Sequence, residues 1–380
     1  MKDLYKKLMV ALFAGVLIIL PILTFINLPS DPRPFSENEN KVLAAFPEVS
    51  MKTYLNEKLM TGIEDWFSDR FFGRENWIKI KNTTERLIGK TEVNGIFTGN
   101  DRMIQVWKGY DKEFIGKNLA AINTFTDNNP DLPTYFLLAP TSQEIYSHLM
   151  PSTAPIGSQA ELYEYCKENL TGAQSINVMN TLKQHSDEYI YYRTDHHWTS
   201  LGAYLAYYEA ANDMGFKPFE LSQFNIEHAS SDFHGTLFSK TLDDGVTADI
   251  IDYYHPNDGD FKLTLEINDG AKTEKYDSLY FRSYLDVKDK YSSFLGPNSP
   301  MMTVTTNIEG PSLLIFKDSY AHAFIPFLTN HYSKITILDM RYINAGYERL
   351  VDINEYDSTL ILYNAITFSE DTGIRKINMK

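Results

Sequence analysis

Short, unbroken apolar runs such as Leu313-Leu314-Ile315 and Leu360-Ile361-Leu362 recur in this chain, with helical stretches between them. A run without polar alternates suits a strand buried on both faces, and such strands belong to parallel sheets covered by helices. The order of elements agrees. A helix is predicted over 112–127, a strand over Thr134–Ala139 closed by Pro140, and a helix near Gln159–Leu170. Short strands fit Ser175–Met179 and Glu188–Tyr192, and a helix fits Thr199–Met214 with Thr199 as its N-cap. Alternation resumes with strand Ser312–Phe316, helix Tyr320–Asn330, strand Lys334–Leu338, a helix near Tyr347–Val351 and strand Ser358–Tyr363. These readings predict an α/β fold. Between them, about 216–307, the chain turns rich in Asp, Tyr and Thr with short strand-like periodicity, and reads as a β-rich insertion.

The amino end constrains location. Lys2, Lys6 and Lys7 precede Leu8–Leu28, which contains no charge. At ~1.5 Å per residue such a run reaches about the thickness of a bilayer core. Lysines on the amino side predict that end in the cytoplasm and the rest outside it. A cleaved signal peptide competes, but the run is long for one and no small-x-small site follows before Pro29. The expected organisation is a cytoplasmic stub and transmembrane anchor at 1–28, a linker and helical arm at 29–110, and a catalytic domain at 111–380. The linker is Pro29–Pro34. The arm contains Tyr54–Gly89, which has helical spacing broken at Gly73, and Asn94–Met103 reads as a hairpin.

A net charge of −15 argues against nucleic acid, which needs a basic footprint. With a single cysteine, Cys166, an internal disulfide is excluded. The 25 tyrosines and 23 phenylalanines suit a sugar-binding cleft as well as ordinary packing.

Two clusters carry chemistry. Thr194-Asp195-His196-His197-Trp198-Thr199 offers an imidazole with a carboxylate two residues before it. Lys317-Asp318-Ser319-Tyr320 places a serine where a predicted strand gives way to a helix. Nucleophile, base and base-orienter are thus all available. Each cluster also has plainer readings. Ser319 or Asp318 is suited to capping the helix. Asp195, His196 and His197 are all metal-ligand types, and Trp198 suits a core. Alternation along an extended segment would put Asp195 and His197 on one side with His196 pointing away.

These motifs, with Gly202-Ala203 and the block Gly235-Thr236-Leu237-Phe238-Ser239-Lys240, resemble the DHHW family, which is similar in turn to the SGNH-like alginate O-acetyltransferases. The resemblance runs from about Glu64 to the C-terminus. It implies an SGNH-hydrolase-like three-layer sandwich with Ser319 as nucleophile, His197 as base and Asp195 as its orienter. The sequence departs from ordinary SGNH proteins in having Lys317 where Gly-Asp-Ser has glycine. It also lacks a Gly-x-Asn-Asp block, which leaves Asn364 as a weak candidate for the side-chain oxyanion donor. Trp198 is expected to pack behind the imidazole, with substrate contact as the alternative.

The expected function is a membrane-anchored, extracytoplasmic O-acyltransferase that O-acetylates a cell-envelope or secreted polysaccharide. The resemblance implies a multipass membrane-bound O-acyltransferase as partner. No cofactor or metal is called for. An esterase using the same triad, and a non-catalytic glycan-binding or scaffold subunit, are the alternatives.

Overall fold

A computed structural model describes residues 2–27 and 34–379. Leu28 of the expected anchor and residues 29–33 of the linker lie outside the described residues. The chain forms two compact units, Met1–Asn94 with Phe238–Asp244, and Gly95–Leu237 with Gly245–Lys380.

The first unit is helical. Helix α1 (Lys2–Asn27) includes a stretch, Leu4–Asn27, long and apolar enough to cross a membrane. The arm holds α2 (Met51–Leu55), α3 (Lys58–Asp69) and α4 (Arg74–Leu87). Gly73, the predicted break, precedes α4 with φ of +66°, a left-handed conformation that glycine adopts without steric cost. A second break, not predicted, falls at Glu57, whose φ is +61°.

The second unit is built on one eight-stranded sheet. In chain order its strands are β1 (Thr134–Ala139), β2 (Ala173–Ile176), β3 (Leu263–Asn268), β4 (Thr273–Tyr276), β5 (Met301–Thr306), β6 (Ser312–Lys317), β7 (Lys334–Leu338) and β8 (Ser358–Asn364). Their spatial order is β4-β3-β5-β7-β6-β8-β1-β2. The five strands from β7 to β2 are parallel, and β5, β3 and β4 extend that edge antiparallel. The segment read as a β-rich insertion therefore supplies three strands to the main sheet. It also forms an antiparallel ribbon, Phe224–Phe233 against Asp249–Pro256.

Alternation along the parallel strands creates two cores. Leu313, Ile315, Leu360 and Leu362 face α5 (Ser200–Met214) and α6 (Ala321–Leu328), through Tyr204, Tyr207, Phe324 and Phe327. Leu314, Phe316, Ile361 and Tyr363 belong to the opposite core, with Ile115, Leu119 and Phe125 of the helix Lys112–Asn128 and Leu162 of the helix Gln159–Asn169. The result is the three-layer α/β/α sandwich expected.

One predicted strand does not form. Residues 188–192 make a single bridge, Tyr191 to Trp198, and otherwise fold into a loop closed on itself. Tyr192 N–H donates to His197 O (3.2 Å) and Thr199 N–H to Ile190 O (3.0 Å). Backbone bonds that would have gone to a sheet neighbour thus close the loop carrying Asp195 and His197. Gly202 lets the start of α5 approach this loop, since a Cβ there would lie 2.1 Å from Ile190 O.

Candidate active site

Ser319 lies two residues beyond β6. Its neighbours Lys317, Asp318 and Tyr320 are buried while Ser319 is half-buried, so the strand end presents the hydroxyl outward. Asp318 fixes the turn. Its N–H donates to Leu362 O on the adjacent strand (3.1 Å), and its carboxylate accepts from Tyr320 N–H (2.9 Å) and from Asn364 N–H (2.8 Å) and Nδ2 (2.6 Å). Burial pushes the Asp318 carboxyl above its ordinary pKa, opposed by Arg341 and these backbone donors. The Ser319 N–H has no hydrogen-bond partner among the described residues.

His197 meets this serine from the loop. Its Nε2 lies 2.8 Å from Ser319 Oγ, and its Nδ1 lies 2.6 Å from Asp195 Oδ1. An ionised carboxylate only accepts, so Nδ1 carries the proton and Nε2 is the acceptor for the serine hydroxyl. Burial alone would raise the Asp195 pKa. Both neighbouring imidazoles, with hydrogen bonds from His197 and Thr236, outweigh it and hold the carboxyl well below the usual range.

Asp195 is held in turn. Its Oδ2 accepts from Thr236 N–H (2.8 Å) and Oγ1 (3.0 Å). Gly235 is required beside it, because a Cβ would come within 2.4 Å of that same oxygen. The start of the loop hangs from Asp249, which accepts from Arg193 N–H (2.6 Å), Thr194 N–H (2.8 Å) and the hydroxyls of Thr194 and Tyr189.

Two sequence expectations fail here. His196 does not point away. The segment is bent rather than extended, and the His196 ring lies 3.8 Å from that of His197, tilted by 38°. The Thr236 hydroxyl donates to Asp195, so His196 Nδ1, 2.7 Å away, donates to Thr236 Oγ1. Asn364, the weak oxyanion candidate, is fully engaged elsewhere. Its amide donates to Asp318 and to Thr367 Oγ1 (2.7 Å), and its carbonyl caps the helix Ala365–Glu370 through Ile366 and Thr367 N–H. Trp198 packs, and does not take the substrate-facing alternative. It is fully buried, and Nε1 donates to Tyr320 O (2.9 Å).

Asp195, His196 and His197, which as residue types offered a metal site, have ligand atoms within 4.8 Å of one another. The donors are otherwise occupied. Both His197 nitrogens face Asp195 or Ser319, and each Asp195 oxygen accepts two hydrogen bonds.

Sequence reasoning missed Tyr291. Its ring stacks on His197 at 3.7 Å and 8°, and its hydroxyl donates to Ser319 O (3.1 Å). One side chain thus braces both base and nucleophile. Thr236 and Asp249 were also missed, although the Gly235-Thr236 pair stood inside a quoted block. Lys317, the departure from the glycine pattern, is buried in an ion pair with Asp339 (3.1 Å) and donates to Asn298 Oδ1 (2.9 Å) and His322 Nε2 (2.7 Å). Burial lowers its pKa to about 8, with Asp339 opposing. His322 donates its other nitrogen to Phe294 O (2.9 Å), so both its nitrogens serve packing under the serine.

The DHHW family profile matches residues 148–338, half of the chain, including both clusters. The chain belongs to the DHHW family. Among solved structures it is similar to a DHHW family protein from Eubacterium siraeum (23% identity, TM-score 0.66, 76% of this chain and 96% of that one). It is also similar to Bacillus cereus PatB1 (20% identity, TM-score 0.65, 74% and 99%), which has been solved with a sulfonyl adduct as well. At these identities the likeness is one of fold. No curated protein matches the chain in sequence.

Proposed function

We propose that this DHHW protein is a membrane-anchored, extracytoplasmic serine O-acyltransferase that O-acetylates a cell-envelope or secreted polysaccharide. The observation that carries the reading is the hydrogen-bond chain from Asp195 Oδ1 through both nitrogens of His197 to Ser319 Oγ, at 2.6 and 2.8 Å. His197 Nε2 takes the hydroxyl proton as Ser319 Oγ bonds to an acyl carbonyl carbon. In this reading the Ser319 N–H donates to the developing oxyanion. Collapse breaks the bond to the leaving group, which departs with the proton from His197, and leaves an acyl-serine. A sugar hydroxyl then repeats the sequence, giving its proton to His197 and taking the acyl group. Asp195 holds the imidazole in the tautomer that both halves need. In this reading α1 anchors the chain with its lysines in the cytoplasm, and a multipass membrane-bound O-acyltransferase supplies acyl groups from within the membrane.

The test is to incubate the full chain in detergent with an activated acetyl ester and candidate glycans, followed by mass spectrometry of protein and glycan. A sulfonyl fluoride is a suitable probe, given the adduct captured on PatB1. Acetyl and sulfonyl groups are expected on Ser319, and acetyl groups on glycan hydroxyls. Acetate release without modified glycan would mark a hydrolase. Glycan acetylation that persists in Ser319→Ala would overturn the serine mechanism.

A further inference from the structure

Helix α4 is amphipathic with its faces reversed. Lys79 pairs with Asp244, Arg86 with Asp243, and Asn82 donates to Thr241 O, so the polar face is the one turned into its own unit. The opposite face is open and carries a stripe of large apolar side chains, with Thr84 among them and Lys81 at its edge. Trp77 (42% exposed), Ile80 (54%), Leu87 (82%) and the following Ile88 (78%) fall at helical spacing along it. A stripe of this kind on a helix marks a docking surface.

Its position identifies the occupant. Phe72 N–H donates to Thr24 Oγ1 (3.0 Å), and Trp77 Nε1 donates to Phe72 O (3.1 Å). Phe67 of α3 meets Phe25 at 5.8 Å. Thr24 and Phe25 lie in the last turn of α1. The Leu4–Asn27 stretch has 24 residues, about 36 Å of helix, longer than the ~30 Å hydrocarbon core. Phe72 and Trp77 thus stand level with the end of the apolar helix, where tryptophan is favoured at the membrane–water boundary.

We propose that α4 lies on the bilayer, with the stripe from Trp77 to Ile88 buried among lipid headgroups and upper acyl chains. The occupant is the lipid surface itself. The proposal rests on α1 being a membrane anchor. Its consequence is that the arm is fixed against the membrane, a second attachment beyond the anchor.

The test uses the full chain in lipid nanodiscs carrying a nitroxide either near the glycerol level or deep in the acyl chains. Of the four tryptophans, Trp107 and Trp198 are buried and act as an internal reference. The shallow nitroxide should quench Trp77 more than the deep one, an effect lost in Trp77→Phe. A Trp77→Phe/Leu87→Trp variant moves the reporter to the far end of the stripe and should regain the shallow quenching. Sulfonyl labelling of Ser319 in each variant checks that it is folded. Quenching at position 77 with none at 87 would show the helix leaving the bilayer and overturn the proposal. So would an absence of quenching at both positions in protein that resists alkaline carbonate extraction, as expected if a protein partner covers the stripe instead. Release by carbonate would overturn the anchor reading and this proposal together.

Discussion

Ser319 stands beyond β6, a strand hydrogen-bonded on both sides within the parallel part of the sheet, whereas His197 stands in a loop that belongs to no sheet. The serine is placed by the end of a regular strand, with one carboxylate, Asp318, fixing the turn after it. The histidine is placed by side chains: Asp249 holds the start of its loop, and Thr236 holds Asp195. The two halves meet with a separation of 122 residues in sequence. Strand ends are robust to single substitutions, while a loop suspended from a few carboxylate bonds is not. The loop half should therefore fail first when its polar supports are removed.

The strongest test asks whether the halves act as one unit. Ser319→Ala and His197→Ala should each lower acyl-ester turnover about a thousandfold or more, and the double variant should be hardly worse than either. Unchanged melting temperatures would show that chemistry, not folding, was lost. Additive losses would mean the two residues do not share a step.

Asp249→Ala strips the loop of its anchor. It leaves two backbone N–H groups and two hydroxyls without their acceptor. The two buried donors, the N–H and hydroxyl of Thr194, at ~1–3 kcal/mol each put the expected loss at about 2–6 kcal/mol. Turnover should fall about a hundredfold as His197 loses its position. Denaturant titration and sulfonyl labelling read the two effects. Wild-type labelling in Asp249→Ala would show that the loop does not depend on this support.

Much of the serine half was legible in sequence, because β1 and β7 form over the predicted residues and β6 and β8 extend one residue further. Continuous apolar runs leave a periodic trace. The loop half left little. The tyrosines at 189, 191 and 192 mimic a strand, yet their burial comes from the closed loop, and the partners that shape it, Thr236 and Asp249, lie 41 and 55 residues from the groups they hold. Polar bonds over such distances have no period. The residue types alone offered Asp195 and His197 as carboxylate and base beside metal-site and packing readings, the resemblance to a family favoured the first, and nothing singled out Tyr291.

Tyr291 touches both halves, and its variants separate its two contacts. Tyr291→Phe keeps the ring on His197 but loses the hydroxyl bond to Ser319 O, so labelling should slow by about threefold to tenfold. Tyr291→Leu loses the stack as well and should slow it further. Equal rates for the two variants would assign the whole effect to the hydroxyl. On the serine side, Asn364→Ala removes a helix cap worth ~1–2 kcal/mol but leaves β6 intact. Labelling should stay within about threefold of wild type. A large loss of activity there would restore Asn364 as a catalytic candidate.

Acid offers the finest comparison. His331 follows α6, the helix that starts beside Ser319. Its Nε2 accepts from the Tyr207 hydroxyl (2.6 Å), and its ring stacks on Phe216 at 4.3 Å. Burial lowers its pKa from 6.5 to about 4. Between those values the unfolded chain binds a proton that the folded chain refuses. The stabilising effect of a neutral His331 is thus fully present above about pH 6.5 and declines as pH falls towards 4. Asp195 in the loop half is depressed too, from a carboxylate's ordinary value, so its contribution is held until the pH drops below about 3.9. Between pH 7 and 4, acidification should therefore cost stability through His331 and not through Asp195. Urea midpoints measured from pH 7 to 4 should fall more steeply for wild type than for His331→Gln, whose amide keeps an acceptor but does not titrate. Asp195→Asn should run parallel to wild type across that range and diverge only below it. Parallel curves for wild type and His331→Gln would show that His331 does not set this dependence.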